Sequence, residues 1–99
     1  MSTPKAFEKA DSRRIRVQIR QVLLEVWDPI GIKDEPNAQD EYDGYIERLY
    51  ELLISRAQNS ELVDYLYWAT HDAMGFDAAT RADMNATVEA LKLIPLPEG

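Results

Sequence analysis

Three pairs of acids, Glu25 and Asp28, Asp40 and Asp43, and Glu61 and Asp64, stand three residues apart. On a helix that spacing puts two carboxylates on one face, where they can share a divalent cation and assist hydrolysis at phosphorus. The rest of the chain gives such chemistry little help. His71 is the single histidine and there is no cysteine, which removes two-histidine zinc motifs, Glu-x-x-His di-iron pairs, thiolate nucleophiles and disulfides. The four glycines are scattered and form neither a phosphate-cradling loop nor a Gly-x-Ser-x-Gly elbow. The stretch from Asp34 to Asp43 lacks the regular oxygen-ligand spacing of a calcium-binding loop. Asp28 directly precedes Pro29, so its carboxylate is read as capping a turn. His71 has acids nearby at Asp64 and Asp72 but no marked nucleophile, and is read as a surface side chain. No catalytic, cofactor-binding or metal-binding residue is assigned.

Charge narrows the partners. The net charge is −7, and residues 1–20 hold six bases and two acids while residues 21–99 hold five bases and sixteen acids. A body this acidic repels phosphate backbones, which argues against nucleic acid. It suits a basic protein. Arg13, Arg16 and Arg20 share one flank of the first helix, and the simplest account is neutralisation by an acidic stripe of Asp43, Glu47 and Glu51 on the second. No run approaches the roughly 18 apolar residues that a membrane span needs, and no apolar run near the N-terminus supports secretion. The expectation is a soluble, cytoplasmic protein with no membrane contact.

These residues sit on elements that the sequence marks clearly. Residues 1–11 read as a flexible tail that docks through Phe7, residues 12–94 as one helical domain and residues 95–99 as a C-terminal tail. Asp11 or Ser12 is the expected cap of a first helix whose core face is Ile15, Ile19, Val22, Leu23 and Val26, at spacings of three and four. Val17 and Leu24 fall on the opposite side as a second apolar stripe. Trp27-Asp28-Pro29-Ile30-Gly31 then stops the helix, since Asp, Pro and Gly at the first, second and fourth positions favour a type I turn. Trp27 is read as a lid over the second helix.

Asp40 is the expected cap of that helix, which buries Tyr42, Tyr45, Ile46, Leu49, Leu52, Leu53 and Ala57. Gly44 inside it costs about 1 kcal/mol against alanine, a sign of close approach by a neighbour. Asn59 or Ser60 should cap a third helix with core residues Leu62, Val63, Leu66, Tyr67, Thr70, Ala73 and Met74, closed by Gly75. A fourth runs from Asp77 or Thr80 to about Leu93, packing closely through Ala79, Ala82, Ala86 and Ala90, and Pro95 ends it. No pattern of period two competes, so the fold class is all-α: a compact bundle of four helices with short connections.

The blocks Trp27-Asp28-Pro29-Ile30-Gly31-Ile32 and Asp40-Glu41-Tyr42-Asp43-Gly44-Tyr45-Ile46, with Met74-Gly75-Phe76 closing the third helix, resemble a family of small uncharacterised bacterial all-helical proteins. The resemblance covers roughly residues 12–76. It implies this fold and a bacterial cytoplasmic setting, and brings no activity with it.

The functional expectation is therefore a protein-interaction module, by analogy with small acidic immunity or antitoxin proteins. On the outer face of the third helix, Tyr65 and Trp68 would form an aromatic anchor rimmed by Glu61, Asp64 and Asp72, fitted to a basic partner or to self-association. A homodimer could also use Val17 and Leu24. The alternative is a divalent-metal-dependent hydrolase of the all-α nucleotide pyrophosphohydrolase type. Those enzymes carry Glu-x-x-Glu followed by Glu-x-x-Asp, whereas here Glu47 and Glu51 are four apart before Glu61 and Asp64.

Overall fold

A computed structural model describes residues 9–32, 34–38 and 40–96. Among them are four α-helices and no strand: α1 (Lys9–Val22), α2 (Ile46–Ile54), α3 (Asn59–Tyr67) and α4 (Asn85–Lys92). Cross-helix bonds fix their directions. Ser12, Arg16 and Arg20 on α1 meet Tyr50, Glu47 and Asp43 in that order, so α1 and α2 are antiparallel. Thr70 lies against Met84, and Lys92 donates to the Ala57 carbonyl, so α4 runs back along α3. The bundle goes up, down, up and down. At its upper end α1 and α3 finish and α2 and α4 begin. No helix among the described residues is long and apolar enough to cross a membrane.

The core forms where apolar residues recur every three or four positions, with Ile15, Ile19, Leu23, Leu49, Leu62, Leu66 and Leu91 fully buried. Two helices overrun into π-helical turns that shift this register. α1 continues through Leu23–Trp27, closed by the Asp28 N–H on the Leu23 carbonyl at 2.8 Å. α3 continues through Trp68–Ala73, closed by the Met74 N–H on the Ala69 carbonyl at 3.0 Å. A turn bonded i to i+5 holds an extra residue and rotates the positions C-terminal to it. Val26, expected in the core, is therefore 44% exposed, while Trp27 and Leu24 are buried. In the second turn Ala69 is buried and Ala73 exposed, the reverse of the expectation for Ala73.

Other boundaries also differ from the sequence reading. α1 already includes Lys9, so residues 9–11 are not a tail, and Asp11 and Ser12 are interior positions, Ser12 bonding Tyr50 instead of capping. Phe7, the rest of residues 1–8 and residues 97–99 lie outside the described residues. α2 is entered through a 3₁₀ turn, Asp43–Tyr45, and not from an Asp40 cap. A Cβ on Gly44 would meet nothing within 4 Å, so that glycine answers to no close neighbour. Gln58, not Asn59 or Ser60, precedes α3, and the Glu61 carboxylate accepts its N–H at 3.0 Å. Thr80 and Asp83 exchange backbone and side-chain bonds at the entry to α4. α4 turns its larger residues inward: Met84, Thr87, Val88, Leu91 and Ile94 are buried while Ala82 and Ala86 are exposed. Tyr50, which the pattern leaves outside, joins the core beneath the Arg16 guanidinium, 4.1 Å from its ring centre.

Candidate functional site

The site is built outward from the turn that ends the first π segment. Asp28 has φ +31° and Gly31 φ +68°; the Gly31 N–H donates to the Asp28 carbonyl at 3.2 Å, giving the turn expected of Asp28, Pro29 and Gly31. The Asp28 carboxylate accepts from the Ile32 N–H at 2.8 Å and from the Tyr42 hydroxyl at 2.9 Å. That hydroxyl accepts in turn from the Ile30 N–H at 3.1 Å. Burial, with the neighbouring Asp28 carboxylate, pushes the Tyr42 hydroxyl up to about 12. Thus the two sequence blocks are joined to each other through one phenol.

Trp27 is held on its other side by the second π segment. Its indole N–H donates to the Thr70 hydroxyl at 3.0 Å, and Thr70 donates to the Leu66 carbonyl at 2.8 Å. From Trp27 a chain of rings runs outward. Its centroid is 5.1 Å from Tyr42 and 5.6 Å from Tyr45; Tyr45 lies 6.4 Å from Tyr65, and Tyr65 stacks on Trp68 at 5.7 Å and 29°. Tyr42 is wholly buried and Trp68 is 47% exposed. The chain therefore mounts a surface indole on rings anchored in the core, with spacings at which aromatic pairs attract.

Below Trp68, a groove of about 340 Å³ is lined by Arg48, Leu52, Glu61, Asp64 and Tyr65. Burial also raises the pKa of the Tyr65 hydroxyl. Four of the anchor residues expected from sequence are thus brought together: Glu61, Asp64 and Tyr65 in the groove and Trp68 stacked at its edge. Asp72 is engaged elsewhere, 2.7 Å from His71 Nδ1, and the His71 ring stacks on Tyr67 at 5.0 Å. Sequence reasoning misses Arg48, although it sits three residues from Tyr45 and so shares its face.

The acidic rim is largely committed. Asp64 accepts from Arg81 Nε at 3.0 Å, with that guanidinium 4.5 Å from the Tyr67 ring centre, and Glu61 serves the start of α3.

The other expected surface does not form. Val17 is 53% exposed but Leu24 is 6% exposed, because α4 packs on the π turn that carries it; the two cannot share a docking stripe. Val17 borders a depression of about 270 Å³ between Arg16–Glu47 and Arg20–Asp43. The neutralisation expected of the first helix is present there for two of its three arginines, Arg16 and Arg20. Arg16 grips Glu47 through two bonds of 2.6 and 3.0 Å, and Arg20 grips Asp43 through two. Glu51 pairs instead with Arg48 at 3.4 Å. The Arg16 hydrogen bonds hold the Glu47 carboxyl below its ordinary value.

Of the spaced acid pairs, Asp28, Asp43, Glu61 and Asp64 each have one of these protein partners. Among the described residues no three His, Cys, Asp or Glu side chains converge as a metal centre. Comparison with protein-family models, with curated proteins and with solved structures finds no match.

Proposed function

We propose that this chain is a protein-interaction module, acting in a bacterial cytoplasm as its resemblance implies, and that its partner docks on the face carrying Tyr65 and Trp68. One observation carries the reading: Trp68 leaves 47% of its surface in water while Tyr65 and the ring chain hold it in place. Exposed, pre-positioned tryptophan and tyrosine are what binding hot spots use, because they present large area at little entropic cost. The open groove beside them, lined by Arg48, Glu61 and Asp64, has the polar character of an interface rim and not of an enclosed small-molecule site. For the hydrolase alternative, Asp64 would have to release Arg81 and Glu61 its helix cap before either held a cation.

The test is the solution mass of wild type and Trp68→Ala by light scattering over a range of concentrations, with melting curves for both in the absence and presence of Mg²⁺. A monomer in both, with Trp68→Ala folded and unresponsive to Mg²⁺, is expected. A dimer dissolved by the substitution makes the face a self-association site. Marked stabilisation by Mg²⁺ overturns the reading in favour of the hydrolase.

A further inference from the structure

The helix directions gather the described residues of 20–46 and 68–84 at the upper end of the bundle. Those stretches hold ten of the eighteen acids and three of the eleven Lys and Arg, whereas the rest of the sequence holds eight of each. The two stretches thus sum to −7 in the sequence, and the remainder to zero. The same end carries four of the exposed large apolar side chains: Val26, Ile30, Trp68 and Phe76. All are tied to Trp27. Val26 precedes it; Ile30 donates its N–H to Tyr42, whose ring packs on the indole; Phe76 donates its N–H to the carbonyl of Thr70, which holds the indole N–H; Trp68 ends the ring chain. Acids alternate with them in sequence, Glu25 beside Val26 and Asp77 beside Phe76.

Resting on the reading of Tyr65 and Trp68 as a docking face, we propose that the partner presents a cationic segment studded with apolar side chains, such as a basic amphipathic helix. Its apolar residues would cover Trp68, Ile30 and Phe76, and its Lys or Arg side chains would answer the surplus acids of the upper end. A guanidinium would also be attracted to the open Trp68 ring. Of the expected rim, Asp64 already pairs with Arg81, so the counter-charge rests on the acids of this end. A second copy of the chain would set −7 against −7, and nucleic acid or anionic lipid would be repelled in the same way.

The experiment uses the whole protein, ¹⁵N-labelled, titrated with a helical Leu/Arg peptide and with its Leu/Glu and Leu/Gln counterparts. The Arg peptide is expected to shift the Trp68 indole and upper-end amides, with a dissociation constant that rises about tenfold from low to physiological salt. The triple variant Asp34→Asn, Glu41→Gln, Asp77→Asn, all at exposed positions, should weaken it at least about fivefold, while Glu89→Gln at the other end should not. Equal binding of the Glu or Gln peptide at Trp68 overturns the cationic preference and leaves the docking face standing. Arg-peptide binding that ignores Trp68→Ala but not the triple variant removes the face and keeps the preference. Indifference to the triple variant, or no upper-end shift, overturns the proposal.

Discussion

Trp27 and Trp68 occupy matching places, one the last residue of the first π segment and the other the first residue of the second, yet their surroundings are opposite. Trp27 is 9% exposed and has its indole N–H bonded to Thr70. Trp68 is 47% exposed and rests on one ring. The first sits where α1, the second π segment and the entry to α2 converge, so it is enclosed by chain from three directions. The second lies on the outer side of α3 and stays about half exposed. Similar backbone geometry thus makes one tryptophan a keystone and leaves the other a contact surface, and the deciding variable is how many elements converge on it.

The contrast can be broken by substitution, beginning with the largest effect. Trp27→Ala should cost about 3–5 kcal/mol, the range for removing a buried large aromatic, which is a large share of the total stability of a small domain; urea unfolding measures it. Tyr42→Phe should cost about 1–3 kcal/mol, because the Ile30 N–H and the Asp28 carboxylate both lose a partner. Its pH dependence sharpens the point. The folded-state pKa is raised from 10.0 to about 12, so this hydroxyl's stabilisation is complete below pH 10 and is lost as pH rises toward 12. The difference between wild type and Tyr42→Phe should shrink across that window in melting curves.

Trp68→Ala should cost only about 1–2 kcal/mol, from partial burial and one ring pair, and the same urea series checks it; a loss equal to that of Trp27→Ala would erase the distinction. Glu47→Gln should have the smallest effect, about 0.2–1 kcal/mol, as for exposed ion pairs. Since Arg16 holds the Glu47 pKa below its ordinary 4.5, the pair's contribution is present above that pH and disappears as pH falls through the lower folded value. Added salt should reduce it as well.

Features set by local chemistry were legible in the sequence. The Asp28, Pro29 and Gly31 turn follows from the preferences of adjacent residues, the Gly75 terminus from its positive φ, and the exposure of Trp68 from simple 100° rotation along α3. What escaped depends on interactions across the fold. No local residue announces the π turns, so unbroken helical periodicity puts Leu24 outside and Val26 inside. α4 offers two plausible faces, a small one and a large one, and the depth of the space left by α1 and α3 decides for Met84, Val88 and Leu91. The rim around Tyr65 looks free in the sequence because its partner Arg81 lies seventeen residues from Asp64. Conversely, the Arg16–Glu47 and Arg20–Asp43 pairs were readable because antiparallel neighbours with matching stripes have one good register.

The shared phenol of Tyr42 also bears on how much change the chain tolerates. By joining Asp28 and Ile30 to the root of α2, it pins both ends of the intervening segment, whatever that segment's length. Extra residues spliced between Pro36 and Asn37, both exposed, would give up the Ala38 N–H bond to the Glu35 carbonyl and otherwise add loop entropy, roughly 0.6 kcal/mol for each doubling. The connection is accordingly an insertion point for an epitope or a small reporter domain that leaves the helices in place.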